Sequence, residues 1–191
     1  MITVRPAAEA DAPGIARVHV ETWRSTYAGL LPTPYLVGLS SARQAAMWTQ
    51  LLQQPAERRG TFVATERETG VVGFVSVGAV RKIPVTPDEQ WRGAGEVFTL
   101  YVSPDHQNNG LGRRLLAAGF GELASRGLSR ALIWVLAPNP SRFFYHAMGG
   151  APIGVQQENF AGQTVDEIAY GWRDVPEAAE RLSRKVKRQS I

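Results

Sequence analysis

An α/β (α+β) fold is predicted for this chain: a single mixed, mainly antiparallel sheet of about seven strands, with helices on both faces. Three observations predict it. Two strand-like runs, 61–66 and 71–78, are separated by Glu68-Thr69-Gly70, the pattern of a hairpin and so of an antiparallel start to the sheet. A strand-like run at 94–103, an apolar-periodic stretch at 110–126 and a buried strand at 130–136 then form a crossover unit, which requires parallel strands. Two alternating runs, 151–158 and 163–172, close the sheet with a second hairpin.

Taken in order, Ile2-Thr3-Val4-Arg5-Pro6 reads as the first strand. Asp11 is placed to cap a helix whose Ile15, Val18 and Val20 approximate one face, and which runs to about Tyr27. Pro32 and Pro34 interrupt the helical pattern, and a second helix at 42–53 carries Met47, Trp48, Leu51 and Leu52. Gly60 introduces the first hairpin. The stretch 82–95, with Pro84, Pro87, Gly93 and Gly95, is a loop long enough to imply a task of its own. In the crossover unit the strand ends at Ser103-Pro104, and Leu115, Leu116, Phe120 and Leu123 form the helical stripe. A short helix is expected at 140–148. Residues 1–173 thus read as one domain, and 174–191 as a basic tail carrying Arg181, Arg184, Lys185, Lys187 and Arg188, a short exposed helix or frayed.

The chain has 191 residues, 44% hydrophobic and 20% charged, the balance of a globular domain with one sizeable core. It holds no apolar run of the roughly 20 residues a membrane span needs, and its first residues lack the apolar core of a signal peptide, so a cytoplasmic location is expected. With no cysteine, disulfides, thiolate metal sites and a covalent cysteine intermediate are all excluded. His19, His106 and His146 show no ligand spacing, and no metal is assigned. The net charge of +4 is scattered rather than gathered into a duplex-binding face, so nucleic acid is not the expected partner.

Between the strand at 94–103 and the helix that follows lies Gln107-Asn108-Asn109-Gly110-Leu111-Gly112-Arg113-Arg114. Glycines at a strand-to-helix turn let the backbone approach a ligand and aim N–H groups of a helix N-terminus at negative charge. Taken alone, the turn fits either a phosphate cradle or an ordinary tight turn.

Its flanks point further. Gln107, Gly110 and Gly112 match every defined position of Gln/Arg-x-x-Gly-x-Gly/Ala, and 139–150 carries Asn139, Phe144-Tyr145 and Gly149 in order. In these two motifs the chain resembles the GNAT superfamily of N-acetyltransferases, most closely over 96–150 and more weakly in its first half. Gly150 stands where an aromatic often follows the glycine in that family. The resemblance implies a sheet splayed in the middle and an enzyme that moves an acetyl group from acetyl-CoA directly to a primary amine. A noncatalytic acyl-CoA-binding regulatory module is the alternative.

The same resemblance implies site residues. Backbone N–H groups across Gln107, Asn108, Asn109, Gly110, Leu111, Gly112 and Arg113 hold the pyrophosphate, with Arg113 or Arg114 adding charge. A bulge in the preceding strand exposes the backbone of Leu100, Tyr101 and Val102 to the pantetheine arm. Asn139 is expected on that arm, as helix cap, or both, and Phe144 belongs to the cofactor-binding set. Tyr145 is the expected acid for the departing thiolate. Glu96, eleven positions before Gln107, is the expected base; a solvent-facing strand end is the other reading. The same resemblance puts Trp23, Tyr27 and Tyr35 in a region that forms one wall of the acceptor pocket; core packing is the commoner fate of such aromatics, and they are left out of the site. The acceptor amine is left unidentified, its choice falling to the first half and the 82–95 loop; closing hairpins in this superfamily often pair between subunits, which allows a homodimer, and the oligomeric state is left open.

Overall fold

A computed structural model describes residues 1–55, 59–84, 91–160 and 162–187. Seven strands form: β1 (Ile2–Pro6), β2 (Arg59–Glu66), β3 (Gly70–Ala79), β4 (Gly95–Val102), β5 (Ala131–Leu136), β6 (Ala151–Phe160) and β7 (Gln163–Trp172). They lie in one sheet in the order β1-β2-β3-β4-β5-β7-β6. Every neighbouring pair is antiparallel except β4 with β5. The mixed, mainly antiparallel sheet expected from the sequence is the one found. Of the 82–95 loop, residues 85–90, Pro87 included, lie outside the described residues, as do 188–191 of the tail.

Among the described residues six α-helices accompany the strands: α1 (Ala12–Thr26), α2 (Thr33–Val37), α3 (Ser41–Leu52), α4 (Leu111–Ser125), α5 (Ser141–Ala147) and α6 (Val175–Lys187). Successive residues of a strand face opposite sides of the sheet, and β3 shows which helices take which side. Phe74 packs with Trp48 of α3 and with Ile15, Ala16 and Val18 of α1. Val75 and Val77 join Leu115, Leu116, Phe120 and Leu123 of α4 in the main core. Each of those four α4 side chains is fully buried, worth roughly 1.5–3 kcal/mol apiece relative to exposure.

Three local expectations change. Asp11 does not cap α1: its carboxylate accepts the backbone N–H of Ala8 at 2.8 Å and pairs with Arg5 at 2.7 Å, leaving Pro13 to open the helix without a wasted donor. Pro32 and Pro34 do not merely interrupt; they frame the one-turn helix α2, where Pro34 lies in the first turn and loses no bond. The tail helix, expected to be exposed, buries Val175, Ala178 and Leu182 in the main core beside α4. Its spacing of three and four residues puts these on one face.

The feature that positions the site is a break between β4 and β5. They pair only at Gly95 with Ala131 and Glu96 with Leu132, and then separate. On its other side β4 carries a bulge: Val77 faces Val97 and Ser76 faces Thr99, so Phe98 has no partner opposite. An extra residue bends its strand, and here the bend turns the rest of β4 away from β5.

Candidate active site

The parting leaves a cleft of about 750 Å³, walled by Phe98 to Val102 of β4 and by Ile133, Trp134 and Val135 of β5. Thr22, Ser25, Thr26 and Tyr27 close it from α1, and Tyr145, Phe144 and Met148 from α5 and its end. At the C-terminal end of β4 it meets Gln107, Asn108, Gly110, Gly112 and Arg113.

That last group is held in a defined shape. The Gln107 side chain donates through Nε2 to the Val102 carbonyl at 3.0 Å, pinning the turn to the strand it leaves. Asn108 has φ 61°, the one positive φ outside glycine among the described residues, and Gly110 has φ 73° as the residue entering α4. Arg114 donates to the Gly110 carbonyl at 3.2 Å as the first bond of the helix. The N–H groups of Leu111, Gly112 and Arg113 come before it, so they have no acceptor within α4. A Cβ on Gly112 would stand 3.3 Å from Phe144, so the glycine lets α5 close on this turn. The cradle fits an anionic diphosphate in both its first-turn amides, which have no acceptor within the helix, and its clearance. Asn109 is exposed, Leu111 buries its side chain in the core, and neither is among the residues that line the cleft. Arg114 donates to the Ile2 carbonyl at 2.9 Å, which commits it to β1.

Above the cradle, Leu100 and Val102 pack their side chains toward the main core. The Tyr101 side chain points to the other face, where its hydroxyl accepts the Trp23 indole N–H at 2.9 Å. All three residues line the cleft. Asn139 is 5% exposed and uses both ends of its amide: Oδ1 accepts the Ser141 N–H at 2.8 Å, capping α5, and Nδ2 donates to the Tyr27 hydroxyl at 3.1 Å.

Tyr145 is buried among Phe144, Tyr170 and Trp172. Its hydroxyl has no hydrogen-bond partner among the described residues. Burial raises its pKa well above the ordinary phenol value, and the nearby Tyr27 adds to the rise. The group is a neutral O–H at any working pH. Glu96 stands apart from these: it is 3% exposed, does not line the cleft, and is held by Arg81 through the backbone N–H at 2.8 Å and Nη2 at 2.6 Å. It is therefore neither a solvent-facing strand end nor open to the cleft.

Several contributors lie outside the residues that the sequence reading assigned to the site. Tyr27, left out of it, lines the cleft, and so do Thr22, Ser25, Thr26, Phe98 and the face of β5. Nothing in the run Ile133-Trp134-Val135 marks it as a wall; only its position beside a splayed strand does. Among the described residues no group of three or more His, Asp or Glu is placed to hold a metal ion, and no helix is long and apolar enough to cross a membrane.

Known proteins are similar to this chain in sequence and in fold. The model of the acetyltransferase (GNAT) family matches residues 21–149. The N-acetyltransferase YuaI of Bacillus subtilis (strain 168) is 36% identical over 186 residues, which cover 96% of this chain and 100% of YuaI. Among solved structures, the ribosomal-protein-alanine N-acetyltransferase of Brucella melitensis superposes with a TM-score of 0.66 at 24% identity, over 89% of this chain and 98% of that one. The PaiA N-acetyltransferase of Thermoplasma acidophilum, in complex with coenzyme A, gives 0.63 at 17% identity over 90% and 99%. With the family's two motifs meeting at one cleft, and a relative aligned along its full length, this chain belongs to the GNAT family and is an acetyltransferase.

Proposed function

We propose that the protein transfers an acetyl group from acetyl-CoA directly to a primary amine. The observation that carries this reading is the parting of β4 from β5 at the Phe98 bulge, because it puts a helix N-terminus, an unpaired strand edge and a buried phenol around one cleft. Acetyl-CoA supplies the thioester, and so the acetyl carbon and the leaving sulfur. The rest is the work of the chain's own residues.

The amides of Leu111, Gly112 and Arg113 bind the diphosphate, with Gln107 fixing the turn that presents them. The backbone of Leu100 to Val102, released from β5, offers strand-type hydrogen bonds to an amide-bearing arm, and a free N–H beside the bulge stabilises the charge that develops on a carbonyl oxygen. Asn139 keeps one N–H beyond its bond to Tyr27, and that is its donor to the same arm. Tyr145 Oη carries the proton that the departing sulfur takes as the new amide bond forms. Glu96 does not line the cleft, so the proton lost by the amine reaches its carboxylate through water.

Lacking cysteine, the chain forms no thioester of its own, so transfer is direct or uses another nucleophile; the direct route proposed here brings donor and amine into the cleft together. The test is an acceptor screen with acetyl-CoA, reading free thiol. Amine-dependent thiol release supports the proposal. Coenzyme A binding with no release for any amine would leave a binding module instead.

A further inference from the structure

Phe98, the bulged residue, carries two cations. The Arg59 guanidinium carbon lies 4.3 Å from its ring centroid and that of Arg81 lies 4.1 Å away. Arg59 begins β2 and Arg81 follows β3, so the sheet register brings both to the point where β4 leaves β5. Among the described residues, Glu96 is the one carboxylate bonded to either of them, and its bonds go to Arg81. Arg59 donates instead to the Ser76 hydroxyl at 2.9 Å, itself 3.2 Å from that of Thr61. Lys82, the next cation along, is paired with Glu158 at 2.5 Å and takes no part.

Among the described residues the two guanidinium groups thus share one ring and one carboxylate, a local excess of one positive charge; neither arginine lines the cleft itself, and Phe98, which both touch, does. A purely structural ion pair would not gather a second cation, since like charges at this range repel. Burial and then Arg81 lower the pKa of Arg59, and Glu96 partly opposes them. Arg81, by contrast, leaves 59% of its side chain exposed. A guanidinium has five N–H donors in a fixed fork. Arg59 spends one on Ser76 and Arg81 spends two on Glu96, so both keep donors for a planar anion.

We propose that Arg59 and Arg81 form a subsite for a carboxylate carried by the acceptor, so that the substrate class is a compact amino carboxylate. The inference rests on the acetyl transfer proposed above and deepens it. The amine must reach the cleft at Phe98 while the carboxylate lies on the cations touching the same ring, which places the two groups a few bonds apart.

The experiment compares free L-amino acids with their carboxamides as acceptors for the full chain, by thiol release at saturating acetyl-CoA. The acids are expected to exceed their amides in kcat/KM by about tenfold or more, the scale of a lost charge-assisted hydrogen bond. Arg59→Gln should bring that ratio toward one, and Arg59→Lys should restore part of it. Because Arg81→Gln leaves the buried Glu96 carboxylate without its guanidinium, Arg81→Lys is the variant for the second position. Amides used as well as acids, or a ratio unmoved in Arg59→Gln, would overturn the subsite while leaving the acetyl transfer intact. Thermal shift with the same acids and amides is run beside it: stabilisation by acids alone, abolished in Arg59→Gln, supports the subsite even with no turnover. Without acid-specific stabilisation and with no turnover, it fails.

Discussion

The Asn139 side-chain amide bonds to the Tyr27 hydroxyl at 3.1 Å, joining the end of α1 to the start of α5 across 112 positions of sequence. The Tyr27 ring also packs against that of Trp23, centroids 4.9 Å apart, and the Trp23 indole N–H donates to the Tyr101 hydroxyl. One carboxamide therefore sets the opening of α5, which carries Tyr145, and anchors the aromatic wall facing it.

Tyr27→Phe removes the acceptor from the Asn139 amide and should cost about 1–3 kcal/mol, the usual range for stranding a buried polar group. Asn139→Ala loses the same bond together with the cap on Ser141 and should cost more. In a double-mutant cycle by urea unfolding, the two losses should sum to more than the double variant by about 1 kcal/mol. Simple additivity would mean that the contact contributes nothing.

Tyr145→Phe keeps the ring in its packed place and deletes only the hydroxyl. Turnover at saturating substrates is expected to fall about 10²-fold or more, as for loss of a positioned acid, with coenzyme A affinity by calorimetry unchanged. The raised pKa fixes the sign of the pH dependence: the proton is still held above the ordinary phenol range, so Tyr145 adds no falling limb to turnover up to about pH 10. Full turnover in the variant removes Tyr145 from the chemistry.

The fold was legible in the sequence because its signals are local. Strand alternation, the stripe Leu115, Leu116, Phe120 and Leu123, and the glycines before it each report on neighbours in the chain. What the sequence hid was set by register. Phe98 carries no signal until Val77 and Ser76 are known to face Val97 and Thr99, and Glu96 looks like a strand end until Arg81 is found against it. Arg59 and Arg81 lie 22 positions apart and share a ring only because the hairpin aligns them. Tyr27 read as packing because aromatic residues on a helix usually are; its hydroxyl became informative only beside Asn139.

Gly110→Asp separates shape from charge at the cradle. At φ 73° a side chain carries about 1 kcal/mol or more of backbone strain, which Gly110→Ala alone reports. Aspartate adds a negative charge among donors that receive a diphosphate, so coenzyme A affinity should drop more than tenfold beyond the alanine variant. Equal affinities in the two variants would place the diphosphate elsewhere.

His19 gives the fold an acid limit. Its ring stacks on Tyr101 at 5.3 Å and stands among Trp23, Phe74 and Trp48, whose indole N–H lies 3.4 Å from Nδ1. Burial lowers its pKa from 6.5 to about 4, so the unfolded chain takes the proton first as the pH falls. The contribution is fully present above pH 6.5, is lost progressively between about 6.5 and 4, and changes no further below. Its size is about 3 kcal/mol, because each tenfold loss of proton affinity on folding is worth about 1.4 kcal/mol. Carboxylates such as Asp11 and Glu66, which also favour the fold less in acid, are common to wild type and variant and cancel in a comparison of slopes. Urea unfolding at pH 7 and at pH 4.5 should therefore show wild type losing more stability than His19→Gln over the same interval. Equal losses in the two proteins would mean that the imidazole takes up its proton without leaving the aromatic cluster.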